Sequence, residues 1–232
     1  MIATKSSLQD NVVSGKKKIK IINSSEPISL RSFLNAHYLD KTKNSDSSIQ
    51  QTNTRIRDDT SVPKISGGTY SIPDDKYPDF LQIYHREIIM NQSKEYLTEK
   101  QLETGGCIAV DMDLHFSLDL QSRVYTLYHL EDMIDLYLGE LKDIYQFDDD
   151  SRFFVYLFEK SKVNRVVEKN ITKDGIHMII GIQADRIVQR LLRKRILPKI
   201  AETWGEFELV NTWEDVLDEG ITKGDTNWQL YG

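Results

Sequence analysis

The chain has 232 residues, of which 39% are hydrophobic and 28% are charged, and its formal net charge is −6. This composition excludes a wholly disordered chain, which would carry fewer apolar residues and more net charge. The single cysteine excludes an internal disulfide and a cysteine-based zinc knuckle, and it suits a reducing, intracellular compartment. No apolar run approaches the ~20 residues that cross a bilayer, so we expect no membrane partner.

The charges are unevenly distributed along the chain. Basic residues exceed acidic ones in residues 1–66 and 184–200, whereas acidic residues exceed basic ones in residues 129–150 and 202–225. This pattern is compatible with a mosaic of solvated faces. It is also compatible with a basic surface beside a cluster of acids that holds cations.

Residues 1–65 are predicted to form a mostly flexible extension. Within them, residues 41–60 are rich in Ser, Thr, Asn, Asp and Gln, and such a segment buries too little apolar surface to offset the entropy of ordering it. Residues 30–34 are compatible with a short docked helix. Ordered structure is therefore expected to begin near residue 66, and residues 66–232 are predicted as one domain.

The domain predicted for residues 66–232 alternates strand and helix patterns. A glycine pair at 67–68 indicates a turn into a short strand. The later predicted elements are a helix opened by Pro73, a strand at 106–116, a helix at 130–145, a buried strand at 153–158, a strand at 175–182 and a basic helix from about residue 185. This order predicts an α+β domain in which helices pack against a largely antiparallel sheet.

The basic helix is predicted to be amphipathic. Its expected buried positions include Ile187, Leu191, Ile196 and Ile200, and Pro198 is expected to kink or end it. Its Arg and Lys side chains are typical of a helix that follows a nucleic-acid backbone, and equally of a solvated helix face.

The most informative residues are two aspartates, Asp111 and Asp113, in the strand predicted at 106–116. On a strand, residues i and i+2 point to the same face, so both carboxylates project side by side while Met112 points to the opposite layer. Like charges this close repel unless a cation lies between them, and hard oxygen ligands select Mg²⁺ or Mn²⁺. The alternative for this pair is a solvated strand end.

Two later segments carry further candidate residues. His177 follows a glycine turn and begins an apolar strand, where it would either contact a nucleotide phosphate or serve as a packing residue. Asp218 follows an apolar pair at 216–217 and lies close to a glycine, so it can end a strand formed by residues 213–218 beside residues 108–114. This carboxylate would either complete a cradle for two metal ions or belong to a charged turn.

Taken in order, three short motifs resemble the archaeo-eukaryotic primase superfamily. They are a strand with Asp-x-Asp at 111–113, a small-x-His step at 175–177, and an acid after a hydrophobic pair at 216–218. Within the superfamily, the chain is most similar to the primase module at the N-terminus of primase–helicases of nucleocytoplasmic large DNA viruses. That similarity extends from about residue 54 to residue 232, and Gly-Gly-Thr-Tyr at 67–70 and Asn-Trp-Gln-Leu-Tyr-Gly at 227–232 are part of it.

Two departures from the family pattern are visible. The small residue before the histidine is Gly175 rather than Ser. The Ser-x-Lys that follows the Trp-x-Leu-Tyr-Gly segment in the family is missing, so we expect the domain to be truncated just before it and to bind nucleotide weakly.

The resemblance implies an archaeo-eukaryotic primase fold: an RRM-like mixed or antiparallel sheet with helices packed on it, plus a smaller N-terminal α/β unit. It also implies DNA-template-dependent primer synthesis by a two-metal mechanism with Mg²⁺ or Mn²⁺. The metal ligands would be Asp111, Asp113 and Asp218, and His177 would contact the triphosphate. These four residues are the predicted catalytic residues.

The resemblance further implies the binding partners. These are single-stranded DNA template, NTPs or dNTPs, and a C-terminal helicase portion of the same polypeptide, in the host cytoplasm or at a viral replication site. Lys173 and Trp228 are expected to bind nucleotide together with His177. The predicted nucleic-acid-binding residues are Arg186, Arg190, Arg193 and Lys194.

Other functions stay open on the sequence. One is a metal-dependent nuclease, for which Phe-Glu-Lys at 158–160 is the nearest approach to the usual Glu-x-Lys arrangement. Another is a catalytically silent nucleic-acid-binding module that assists a helicase and binds DNA without metal. A third is a purely structural interaction domain. Against the last two, a side-by-side acid pair is costly to stability without a cation.

Overall fold

The computed structural model describes residues 27–40, 50–102 and 104–231. The helices are α1 (Leu30–Ala36), α2 (Tyr77–Tyr84), α3 (Leu127–Ile144), α4 (Arg186–Thr203), α5 (Trp213–Val216) and α6 (Glu219–Lys223). The strands are β1 (Asn53–Arg55), β2 (Gly68–Tyr70), β3 (Leu97–Glu99), β4 (Gly106–Ser117), β5 (Val155–Glu159), β6 (Asn164–Val166), β7 (Ile171–Ala184) and β8 (Trp228–Gln229). Short 3₁₀ turns lie at Asp74–Lys76 and Val167–Lys169, and α2 continues as a π-helix, His85–Met90.

Within the described residues, the strands form two antiparallel sheets. The smaller has the order β2-β1-β3-β8, and the larger has the order β4-β7-β5, with the short β6 also paired to β7. Mixed helices and antiparallel sheets confirm the predicted α+β class. None of the described helices is long and apolar enough to cross a membrane.

The larger sheet is built on the long pair β4 and β7. Along β4, the buried residues Val110, Met112 and Leu114 alternate with half-exposed ones, which is the period-two pattern of a strand with one face in a core. That buried face packs against α3 and α4 in the main hydrophobic core. The other face, which carries Asp111 and Asp113, therefore points away from these helices.

Strand β5 lies at the edge of the larger sheet, and the prediction of a buried strand there is wrong. Val155 and Leu157 face the core, but Phe154 and Tyr156 are 73% and 52% exposed. Among the described strands, β5 pairs with β7 alone. Its outward side chains therefore have neighbours from only one adjacent strand. An aromatic run therefore did not distinguish a buried strand from an edge strand with one open face.

Helix α4 begins where the sequence predicts, but the buried positions of its first two turns differ from the prediction. Asp185 caps its N-terminus by accepting a hydrogen bond from the Val188 N–H at 2.8 Å. The buried side chains are Gln189, Leu192, Ile196 and Ile200, whereas Ile187 and Leu191 are exposed. The predicted apolar stripe was thus correct in its C-terminal half and misplaced in its first two turns, where a glutamine takes the buried position.

Pro198 does not end α4, which continues to Thr203. Proline removes one helical hydrogen bond, but Ile196 and Ile200 on either side of it are completely buried against the sheet.

Glu140 of α3 adds an ionic contact between α3 and α4. Lys199, and after it Arg195, hold the pKa of the Glu140 carboxyl below its ordinary value by hydrogen bonding to it.

The smaller sheet forms a second layered unit with α1 and α2. Its core includes Leu34 of α1, Phe80 of α2 and Leu97 of β3, which are completely buried. A buried ion pair lies beside this core, because the Arg55 guanidinium contacts the Glu95 carboxylate through both Nε and Nη2. This unit matches the smaller α/β unit predicted at the N-terminus, except that its fourth strand, β8, comes from the end of the described chain.

The predicted boundary between residues 65 and 66 stays a prediction. Residues 1–26 and 41–49 of the predicted extension lie outside the described residues. Helix α1 and strand β1 also precede the boundary, yet they pack with α2, β2 and β3, which follow it.

The two sheets meet where β8 crosses toward the open face of the larger sheet. Trp228 of β8 packs with Ile221 of α6 and with Ala109 of β4, and Tyr231 and Ile179 lie against this cluster. The smaller unit thus borders one end of the face that carries the two aspartates.

Candidate active site

Asp111 and Asp113 lie side by side on the open face of β4. Their side chains are 26% and 41% exposed, while Met112 between them is completely buried on the helical side. This is the arrangement predicted from the spacing of i and i+2. It leaves both carboxylates accessible to a ligand.

Strand β7 places two residues directly opposite this pair and a third opposite His115. In the register of β4 and β7, Asp111 faces His177, Asp113 faces Gly175 and His115 faces Lys173. Because directly opposed residues share a face, the sheet gathers acidic and basic groups on one surface. Gly175 adds no side chain there, so the space across from Asp113 stays open.

Each carboxylate has a basic neighbour in this arrangement. The His177 Nε2 atom is 3.3 Å from the Asp111 Oδ1 atom. The Lys173 Nζ atom donates to the Asp113 Oδ2 atom at 2.6 Å, and the His115 Nε2 atom is 2.9 Å from the same oxygen. The mutual repulsion expected of the acid pair is therefore offset by groups of the chain itself.

His115 was not selected from the sequence, although a signal was present. It lies two residues after Asp113, so the same strand periodicity that joins the two aspartates also places His115 on their face. Its contact with Asp113 makes it part of the site's hydrogen-bond network.

Aromatic side chains enclose His177. The Tyr231 hydroxyl is 2.5 Å from the His177 Nδ1 atom, and the Trp228 ring centroid is 4.8 Å from the imidazole centroid. Tyr231 in turn stacks on Phe158 of β5, with 3.9 Å between the centroids and 6° between the planes. Burial, and after it the negative charge of Asp111, raise the pKa of the Tyr231 phenol. The phenol therefore keeps its proton at neutral pH.

Asp218 is next to the acid pair through its backbone, but not as predicted. Residues 213–216 form helix α5 rather than a strand, because Thr212 and Asp215 exchange hydrogen bonds as a capping box. Asp218 then caps α6, with its Oδ1 atom accepting from the Gly220 N–H at 2.8 Å. The chain still runs beside β4, since the Asp218 N–H donates to the Asp111 carbonyl at 3.0 Å.

Residues 59–232 match the family described as the C962R protein N-terminal AEP domain, where AEP denotes archaeo-eukaryotic primase. The match covers well over half of the chain. The chain belongs to this family. This AEP domain is accordingly a primase-type nucleotidyltransferase module, a class that binds nucleic acid and nucleotides. No curated protein matched the chain.

The acid pair of this AEP domain has the donor chemistry for a divalent cation, because two hard carboxylates share one half-open face. Among residues 27–40, 50–102 and 104–231, however, no group of three or more His, Cys, Asp or Glu side chains is arranged to hold a metal ion. Asp218 is occupied as the cap of α6. Its carboxylate would have to leave that cap to become the third ligand.

The predicted nucleic-acid-binding residues of the AEP domain fall into two pairs. Arg186 and Arg193 donate to backbone carbonyls of the segment around Asp218: Arg186 to Ile221 at 3.0 Å, and Arg193 to Leu217 and Glu214 at 2.8 Å each. Arg190 and Lys194 are exposed. Helix α4 packs on the helical face of the larger sheet, opposite the acid pair. From there Arg186 and Arg193 reach the segment around Asp218, which borders the acid pair.

Proposed function

We propose that this AEP domain synthesises primers on a single-stranded DNA template by nucleotidyl transfer from an incoming NTP or dNTP. The observation that carries the proposal is the pair Asp111 and Asp113 on the open face of β4, directly across from His177 on β7. Phosphoryl transfer depends on positioning and charge neutralisation rather than on a protein nucleophile. A surface with two carboxylates, a lysine and an imidazole meets that need.

Bound Mg²⁺ or Mn²⁺, held by Asp111 and Asp113 with Asp218 as a third ligand, would lower the pKa of the primer 3′-hydroxyl and neutralise the triphosphate. Lys173 supplies a further positive charge at the same point, 2.6 Å from Asp113. The aromatic side chains of Trp228 and Tyr231 pack against the imidazole. In this proposal Trp228 acts on the nucleotide through His177, because its own side chain is buried.

His177 is proposed to donate a hydrogen bond to a phosphate oxygen. In this proposal the Tyr231 hydroxyl donates to Nδ1, so that a neutral imidazole would carry its proton on Nε2. Nε2 is the atom that points toward Asp111. The tyrosine therefore fixes the tautomer in which the histidine presents a donor to the site.

The nuclease alternative is less well supported. Its nearest second acid, Glu159, lies opposite Ile176 and accepts a hydrogen bond from Arg123 at 2.6 Å. Ile176 is a buried residue of the helical face, so Glu159 belongs to the other side of the sheet from Asp111 and Asp113.

We further propose that the domain serves a viral replicative primase–helicase, with the helicase portion in the same polypeptide.

The proposal is tested by incubating the domain with a single-stranded DNA template, labelled NTPs or dNTPs, and Mg²⁺ or Mn²⁺. Synthesis of labelled oligonucleotides that stops on chelation of the metal is the expected result. A parallel reaction with end-labelled template and no nucleotide distinguishes the alternatives. Shortening of that template would favour the nuclease, and metal-independent binding without synthesis would favour the silent module.

Replacing His177 by Ala is expected to weaken use of the incoming nucleotide by about one to two orders of magnitude, since hydrogen bonds to charged groups contribute roughly 1.5–3 kcal/mol. The affinity for template should change little, because the proposed contact is with the triphosphate. Steady-state kinetics with varied nucleotide, beside template-binding titrations, separate the two effects. His85→Ala, at an exposed histidine of the smaller unit, is the matched control. An equal loss of template affinity, or loss of folding, would favour a packing role.

A further inference from the structure

Strand β5 and the residue before it present a row of aromatic side chains on the open face of the larger sheet. The row consists of Phe154, Tyr156 and Phe158, which are two residues apart and so point the same way. Phe154 and Tyr156 are 73% and 52% exposed. Large exposed apolar groups in a contiguous set mark an interaction site more often than isolated ones do.

The rings of the aromatic row are arranged as a ladder. The centroids of Phe154 and Tyr156 are 5.9 Å apart with planes at 35°, and those of Tyr156 and Phe158 are 6.5 Å apart with planes at 26°. The ladder continues into the stack of Phe158 on Tyr231, whose hydroxyl contacts His177. An uninterrupted aromatic path therefore leads from the sheet edge to the candidate active site.

The aromatic row shares its face with the acid pair. Phe158 lies opposite His177, and His177 lies opposite Asp111, so the three belong to one surface across β5, β7 and β4. Neighbouring strands are about 4.8 Å apart, which separates the row from the acids by about 10 Å. At its outer end the Phe154 carbonyl accepts from the N–H of Gly181, a residue with no side chain to cover the ring.

Positive charges stand at the inner end of the aromatic row, where Lys160 and Lys162 are exposed just after it. At the outer end the exposed Arg152 follows three exposed aspartates at 148–150, which offset its charge. Aromatic rings that lead to exposed lysines suit a single-stranded polynucleotide, whose bases stack on aromatic faces while its phosphates meet Lys and Arg. A protein partner with an apolar surface would gain from the rings but not from these cations.

We propose that the aromatic row binds unpaired bases of the single-stranded DNA template by stacking and guides the strand toward His177 and the acid pair. This inference deepens the proposed function and rests on it. It assigns template contact to β5, on the face of the acids, rather than to α4, which lies in the opposite layer. Base–aromatic stacking is tolerant of sequence, so the row reads no particular base.

The test measures binding of a fluorescein-labelled oligothymidylate by fluorescence anisotropy in the presence of EDTA, where no nucleotidyl transfer occurs. Phe154→Ala and Tyr156→Ala are each expected to lower the affinity by roughly 5- to 150-fold, the range for loss of one stacked base. Tyr156→Phe should retain nearly the parent affinity, because the ring remains. Tyr128→Ala, which removes a 78% exposed aromatic from α3, is the matched control and should have no effect.

A second probe, an abasic oligonucleotide of the same length, identifies the contact as stacking. The parent should bind it more weakly than oligothymidylate, and the Phe154→Ala and Tyr156→Ala variants should bind it as the parent does. Unchanged oligothymidylate affinity in both variants, or an equal loss on both probes, would overturn the proposal. The binding assay needs no catalysis, so it separates this inference from the proposed function. If the row binds bases but the domain makes no primers, only the proposed function is refuted. If the domain makes primers but both variants bind the oligonucleotide normally, only the role of the aromatic row is refuted.

Discussion

Replacing either Asp111 or Asp113 by Asn is expected to reduce nucleotide incorporation by at least about a hundredfold. Metal ions contribute several kcal/mol to the stabilisation of such transition states, and each 1.36 kcal/mol corresponds to a factor of ten in rate. The asparagine keeps the size of the side chain but removes the charge that would hold the cation. The loss should be measured as initial rates of labelled product at saturating Mn²⁺.

The fold should survive this substitution. Asp113 is 41% exposed and its partner Lys173 is 30% exposed, and pairs of this kind contribute little to stability. Asp119→Asn changes an exposed aspartate just beyond the end of β4 and serves as the matched control, with no expected change in rate. Primer synthesis at the parent rate by folded Asp111→Asn protein would show that the acid pair is not the metal site.

Replacing Glu95 by Gln is expected to lower the free energy of unfolding by about 3–5 kcal/mol, because it leaves a buried guanidinium without its counter-charge. The side chains of Arg55 and Glu95 are only 8% and 6% exposed, and two guanidinium nitrogens contact the carboxylate. Equilibrium unfolding in urea, followed by far-ultraviolet circular dichroism, measures the loss. We expect the smaller unit to be the part most affected.

Two further variants separate the buried charge from a general effect of substitution. Asp59→Asn breaks the exposed pair with Arg57 in the same unit and should leave the unfolding midpoint unchanged. The double change Arg55→Met with Glu95→Leu removes both charges and should recover much of the stability lost in Glu95→Gln. A midpoint for Glu95→Gln equal to that of the parent would refute the assignment of a critical buried pair.

The strand that carries Asp111 and Asp113 was predictable because its period-two pattern is local. The apolar residues Val110, Met112, Leu114 and Phe116 of β4 lie on the face buried in the main core, and each aspartate lies on the other. Pairing with β7 could not be derived in the same way, since register depends on residues some sixty positions away. Without the register, the contacts of Lys173 with Asp113 and of His177 with Asp111 were not foreseeable. The repulsion between the two carboxylates was therefore overestimated.

The errors also have physical causes. Residues 213–218 carry the apolar step of a short strand, yet the exchange of hydrogen bonds between Thr212 and Asp215 starts a helix there instead. In α4, the sequence does not reveal that Gln189 takes a buried position while Ile187 faces outward. The exposure of Phe154 and Tyr156 depends on β5 being an edge strand, which only the assembled sheet determines.

Strand β8 pairs with β3 although the two come from opposite parts of the chain. As synthesis proceeds from the N-terminus, β1, β2 and β3 emerge long before their fourth strand. Until then β3 has an unpaired edge, and Trp228 cannot close over His177. We therefore expect the larger sheet to acquire its order first and the smaller one to close last, so that the histidine's surroundings form in the final step. Hydrogen exchange on ribosome-bound nascent chains of increasing length should find β4 and β7 protected before β3, and simultaneous protection would contradict this sequence of events.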